Sequence, residues 1–173
     1  ILGWYRSIHA LHFAALRYFF ASGALPGRGE AHQPESHLIP LVLQVPLGQR
    51  EHIGVFGNDY PTPDGSCIRD YIHIADLVSA HLLALDALAK KDKLVYNIGT
   101  GTGFSVKEII DVARKVTGHE IPAVETPRRE GDPARLVASP QKIQRELGWK
   151  AEYSSIENIM QTCLLYTSPS PRD

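Results

Sequence analysis

Charge of one sign is the first thing missing from this chain of 173 residues: 18 Lys and Arg stand against 19 Asp and Glu, a formal net charge of −1. The broad positive field that nucleic acid or an anionic membrane surface demands is therefore not there, and any anion must be caught locally. Cysteine is nearly missing too. Cys67 and Cys163 lie far apart, with no CxxC and no second pair. Neither a disulfide framework nor a zinc site is indicated, and a reducing, cytoplasmic compartment is expected. No apolar run reaches the roughly 18 residues of a membrane span, and no charged-then-apolar leader is visible. HExxH is absent, and of the eight histidines only His9 and His12 share helical spacing, with no acidic residue beside them, so no metal site is expected. G-x-S-x-G is absent as well, which removes the usual serine-hydrolase arrangement.

What is present fits one α/β domain with a real core, the apolar content being 43%. Residues 1–12 read as the end of a helix and residues 13–19 (FAALRYF) as a buried strand. The chain starts without Met inside that helical pattern, as a truncated product would. Residues 21–34, rich in Gly and Pro, read as a loop, and Leu38, Ile39, Val42 and Leu43 mark a helix that Gly48 ends, its last turn kinked or shortened by Pro46. A short strand is expected over residues 53–56, followed by a DYPTPDG turn over residues 59–65. Leu77, Val78, Leu82, Leu85 and Leu88 predict one face of a helix over residues 74–90, and residues 94–98 predict a strand. Ser105 with Glu108 forms a capping-box pattern before Ile109, Ile110, Ala113 and Val116, and Gly118 stands where a C-cap belongs. Ser139 and Pro140 open a short helix that Gly148 closes, and Ser154 with Glu157 repeats the capping box before a last helix. Residues 163–173 (CLLYTSPSPRD) break the pattern, with no expected partner for Leu164 and Leu165. They resemble a translated sequencing adapter, the alternative being a natural disordered tail.

Gly99-Thr100-Gly101-Thr102-Gly103 follows a strand and precedes a capped helix, the setting of a dinucleotide-binding loop. The fingerprint G-x-G-x-x-G requires Gly where Phe104 stands, so a plain strand-to-helix turn is the reading kept. Arg69-Asp70-Tyr71 and Arg128-Arg129-Glu130-Gly131-Asp132 place arginine in loops with a carboxylate close by. Guanidinium forks bind diphosphate oxygens bidentately and a nearby carboxylate takes ribose hydroxyls, so two such loops could pinch a nucleotide diphosphate. Standing alone, such pairs are more often solvated ion pairs.

The words of the sequence go further. FGNDYPTPDGSCIRDYIHIADLVSAH (residues 56–81) resembles a stretch of UDP-glucose 4-epimerases, a branch of the extended short-chain dehydrogenase/reductases. So do LRYF (16–19), HLIP (37–40), YNIGTGTGFSVKEII (96–110), PRREGDPARLVAS (127–139) and ELGWKAEYS (146–154). The resemblance runs from residue 1 to 162 and implies the C-terminal portion of an extended, Rossmann-type, NAD-binding fold, mainly its substrate-binding subdomain. Residues 1–162 would then be the end of the Rossmann-type domain plus a UDP-sugar-binding subdomain, and residues 163–173 the adapter-like or disordered tail.

By the same resemblance, Tyr18 matches a position beside the nicotinamide of NAD, and His37 and Leu38 match positions lining the UDP-sugar. Gly54, Val55 and Phe56 match a strand that holds the uracil, Arg69 and Arg129 the pair on the diphosphate, and Asp132 a carboxylate near the ribose. The implied reaction interconverts UDP-glucose and UDP-galactose through a 4-keto sugar, with NAD as cofactor and a homodimer as the complete form. The family's T-G-x-x-G-x-x-G and Tyr-x-x-x-Lys do not occur: Tyr5 is followed four residues on by His9, and Tyr18 by Ser22. No catalytic residue is therefore assigned, and the chain alone is expected to be inactive. A further departure is Phe20, where the family pattern R-Y-F-N has Asn. A related nucleotide-sugar decarboxylase or dehydratase, or a non-catalytic UDP-sugar-binding module, are the alternatives.

Overall fold

Two apolar clusters organise the chain. The computed structural model describes residues 1–29, 32 and 34–167. Its elements run α1 (Leu2–His9), β1 (Phe13–Tyr18), β2 (Phe20–Ser22), α2 (Leu38–Leu43), β3 (Ile53–Phe56), β4 (Ile68–Arg69), β5 (Tyr71–His73) and α3 (Ile74–Ala87). There follow β6 (Lys93–Ile98), β7 (Phe104–Ser105), α4 (Val106–Thr117), β8 (Ala123–Thr126), β9 (Arg135–Leu136), α5 (Gln141–Leu147) and α6 (Ile156–Thr167).

Strand direction decides the topology. β1 pairs with β6, β2 with β5, β3 with β8 and β4 with β9, all in parallel, while β4 with β7 is antiparallel. Parallel neighbours need crossover connections, which helices provide here, α3 lying between β5 and β6 and packing on β1 and β6. This alternating parallel order is the topology of a Rossmann-type, NAD-binding subdomain. It corrects the expectation of a C-terminal portion made mainly of a substrate-binding subdomain. That expectation rests on motifs to which the resemblance assigns ligand contacts, and such motifs carry no information about strand direction.

One cluster gathers Val42 and Leu43 of α2, Ile53 and Val55 of β3, Ile109 and Ile110 of α4, and Ile159 and Met160 of α6. The other gathers Leu94, Tyr96 and Ile98 of β6, Leu77, Ala80 and Ala84 of α3, Ile143 of α5, and Trp149. β5 joins them: Tyr71 belongs to the first cluster and its neighbour Ile72 to the second, as alternation along a strand requires.

Helix α4 forms where its caps predict. Ser105 Oγ accepts the Glu108 N–H at 3.1 Å, Glu108 Oε2 accepts the Ser105 N–H at 2.7 Å, and Gly118 closes the helix at φ 68°. Helix α3 buries only part of the face its leucines suggest, Leu77 and Leu88 packing on the second cluster. Leu77, Ala80 and Ala84 are buried, whereas Val78, Leu82 and Leu85 are exposed. Small alanines let the helix axis approach the sheet, and that close stripe excludes the bulkier residues. The expected cap of α6 also moves by one residue: Ser154 Oγ accepts the His73 N–H and donates to Asp76, and Ser155 Oγ accepts the Asn158 N–H at 3.2 Å. Helix α2 ends at Leu43, ahead of Pro46, with Gly48 at φ 72° in the following turn. Against the expected partnerless tail, α6 continues to Thr167, and Cys163 and Leu164 pack on the first cluster while Leu165 is exposed. Residues 168–173 of that tail lie outside the described residues.

Candidate functional site

A cavity of 480 Å³ opens beside the first cluster. Strand β3 lends it Ile53, Gly54 and Phe56, while the Val55 side chain is 1% exposed and turned into the core. His37 and Leu38 reach it from the start of α2, and Phe20 and Tyr71 from the paired strands β2 and β5. Arg69, at the end of β4, enters from below, and Arg129 and Asp132 come from the loop between β8 and β9. β9 pairs with β4, with Arg69 opposite Leu136, so the two arginine loops that are distant in sequence are held side by side.

Arg69 is 5% exposed yet charged. Its guanidinium donates to the Ile68 carbonyl at 2.7 Å and to Asp132, and lies 5.8 Å from the centre of the Phe20 ring. Arg129 is exposed and stacks its guanidinium 4.0 Å above the Phe56 ring. An arginine held over an aromatic face is pre-oriented while its edge donors stay available for an anion. The Tyr71 ring stands 5.8 Å from that of Phe20, and burial pushes its phenol well above the ordinary tyrosine range. Cys67 also lines the cavity, and burial raises its thiol, so it is a small protonated apolar group there.

Sequence reading missed several lining residues. Arg50 and His52 stand just before β3, Tyr71 follows the arginine motif, and Thr126 ends β8. Arg50 makes the lining more cationic than expected, with three arginines facing the single carboxylate of Asp132. Only its place at the mouth of a strand that lines a cavity marks it, and that is invisible without the fold. His37 is tied to Glu35, whose Oε1 lies 2.9 Å from Nδ1 and accepts the His37 N–H at 2.7 Å.

Tyr18 does not line this cavity. It is 51% exposed at the end of β1, with its hydroxyl 2.8 Å from His81 Nε2. The glycine-rich loop over residues 99–103 is also occupied from within: the carboxylate of Asp70, fully buried, accepts the N–H groups of Thr100 at 2.9 Å and Gly101 at 3.0 Å. These two amides of the loop are therefore engaged by an anion of the protein itself. Among the described residues there is no group of three or more His, Cys, Asp or Glu that could hold a metal ion, and no helix long and apolar enough to cross a membrane.

Comparison with known proteins places this geometry. A model of the GDP-mannose 4,6 dehydratase family matches residues 1–162. The chain is 56% identical over 161 residues to a UDP-glucose 4-epimerase of Halalkalibacterium halodurans, covering 91% of this chain and 48% of that one. It is 48% identical over 164 residues to a UDP-glucose 4-epimerase of Corynebacterium glutamicum, covering 95% and 50%. The chain thus spans about half the length of the curated relatives it matches. Among solved structures, UDP-glucose 4-epimerase from Brucella ovis in complex with NAD superposes with a TM-score of 0.90 at 41% identity, over 96% of this chain and 52% of that one. The enzyme from Bifidobacterium longum in complex with NAD+ and UDP gives 0.90 at 38%, over 98% and 51%. From residue 1 to residue 162, then, the chain belongs to the GDP-mannose 4,6 dehydratase family, in the UDP-glucose 4-epimerase branch of the extended short-chain dehydrogenase/reductases.

Proposed function

We propose that the cavity binds a UDP-hexose and that the complete protein interconverts UDP-glucose and UDP-galactose, an isomerisation with NAD as cofactor. The observation that carries this reading is the pair of arginines, each over an aromatic ring, converging with Asp132 on one cavity. Diphosphate is the ligand chemistry that two such forks fit, and the neighbouring carboxylate suits ribose hydroxyls. Phe56 and the bare backbone of Gly54 would take the flat uracil, while His37 and Leu38 border the sugar. Holding the nucleotide firmly serves the reaction, because remote binding energy can position a hexose that must turn over between two half-reactions. The relatives named for this activity support epimerisation over a dehydratase reaction.

This chain's own part in the reaction is to bind and orient the UDP-hexose. The test is calorimetric titration of the 173-residue chain. UDP, UDP-glucose and UDP-galactose should bind saturably and ADP should not, and Arg69→Ala and Arg129→Ala should each weaken UDP. Equal binding of ADP and UDP, or binding untouched by both substitutions, overturns the reading. The same sample is expected to show no interconversion of UDP-glucose and UDP-galactose above background.

A further inference from the structure

Arg69 carries the diphosphate in the proposal above, yet the strand that presents it is only two residues long. So short a strand does not by itself fix a side chain to within the fraction of an ångström that ligand geometry needs. The next residue supplies what the strand lacks. Asp70 is fully buried, and its carboxylate accepts four hydrogen bonds from three residues in two segments. Oδ1 accepts the Thr100 N–H at 2.9 Å and the Thr100 hydroxyl at 2.6 Å. Oδ2 accepts the Gly101 N–H and the Ala138 N–H, both at 3.0 Å.

The main chain of Asp70 is engaged as well: its N–H donates to the Leu136 carbonyl at 3.2 Å and its carbonyl accepts the Phe20 N–H at 2.9 Å. One residue therefore ties together the strand that brings Phe20 into the cavity, the glycine-rich loop, and the segment that follows Arg129 and Asp132. The loop is moulded to this carboxylate. A Cβ at Gly99 would stand 2.7 Å from Asp70 Oδ2 and clash with the Ala138 methyl, and one at Gly103 would clash with Ile68, the residue before Arg69.

We propose that Asp70, seated in the residue 99–103 loop, is the positioning residue for Arg69, so that the glycine-rich loop serves the nucleotide site by holding an internal carboxylate on the far side of the strand. This rests on the reading of Arg69 as a diphosphate ligand. Successive residues of an extended segment point oppositely, so anchoring Asp70 on one side sets where Arg69 emerges on the other. A group acting in this way affects only the part of the ligand that Arg69 holds.

The experiment compares UDP with uridine on the full chain. Asp70→Asn keeps the shape but turns an amide donor toward N–H donors, and it should weaken UDP about tenfold or more while leaving uridine within about twofold. In an Arg69→Ala background, adding Asp70→Asn should change UDP affinity by less than about twofold, because the position it sets no longer matters. Equal loss of UDP and uridine, or losses that add fully with Arg69→Ala, means a purely structural role and overturns the proposal, as does unchanged UDP affinity. Should Asp70→Asn not fold, Thr100→Val carries the test by removing the hydroxyl donor alone. A UDP-selective loss of about threefold then supports the proposal and no loss overturns it. If Arg69→Ala binds UDP as the parent does, the diphosphate reading itself fails, and the positioning role with it.

Discussion

Replacing Asp76 by Asn is the change whose cost the structure sets most clearly. Asp76 is 1% exposed. Its Oδ1 accepts the Glu152 N–H at 2.9 Å, its Oδ2 accepts the Tyr153 N–H at 3.0 Å and the Ser154 hydroxyl, and its main-chain carbonyl accepts the Trp149 indole N–H at 3.1 Å. Asn fits the space but has one oxygen. Pointed at Tyr153 and Ser154 it satisfies both, and its amide then faces the Glu152 N–H, donor against donor. That unsatisfied donor costs about 1–3 kcal/mol, and the two surviving bonds each lose about 0.5–1 kcal/mol as they change from charged to neutral, giving about 3 kcal/mol in all. For a chain of this size the melting temperature should drop by about 6–12 °C, and the urea midpoint should fall at unchanged m. Ser154→Ala, which removes one partner only, should cost about 1 kcal/mol. A loss below about 1 kcal/mol for Asp76→Asn at unchanged m would refute the argument that this carboxylate holds residues 152–154 to α3.

Three further outcomes are expected. Burial holds His73 below the ordinary histidine range, so as pH falls from 6.5 toward its folded value the unfolded chain takes up a proton that the native chain refuses. Stability should be full above about pH 6.5 and decline below it, and His73→Gln should flatten the decline in urea titrations across that window. Arg129→Ala removes a stacked guanidinium and its charge-assisted bonds, and UDP affinity measured by calorimetry should fall about 10- to 100-fold with uridine unchanged. Phe20→Asn gives the cavity a donor and an acceptor where a half-buried ring now stands, so UDP-galactose affinity should rise by about threefold or more, and no gain would show that the ring belongs to the core beside Tyr71.

What could be read from the sequence was whatever depends on near neighbours. The α4 caps at Ser105, Glu108 and Gly118, the strand at Ile53–Phe56 and the turn before β4 follow from residues within a few positions of one another. Arg69 and Arg129 were legible as candidates by type, and the resemblance joined them, but their placement side by side is made by β9 pairing with β4, which no local pattern reports. The leucine pattern places only Leu77 and Leu88 of the buried stripe of α3, because Ala80 and Ala84 look neutral in a sequence whereas close packing favours small residues. Strand direction, and with it the Rossmann-type order, is a property of pairs of distant segments. Asp70 stands out in the sequence only as the carboxylate beside Arg69, and Asp76 not at all, since nothing in a sequence distinguishes a carboxylate that collects amides from one that faces water.

The six residues Ile68 to His73 are all buried, and no two consecutive ones share a task. Arg69 enters the cavity, Asp70 the glycine-rich loop, Tyr71 one cluster and Ile72 the other. Inserting or deleting a single residue here would exchange every one of these assignments at once, because side chains in extended backbone alternate. The guanidinium would be driven toward the loop amides, the carboxylate toward the incoming diphosphate, and a tyrosine into a space shaped for isoleucine. Length variation in this protein's descendants should therefore never fall inside this stretch, whose length is as constrained as its composition.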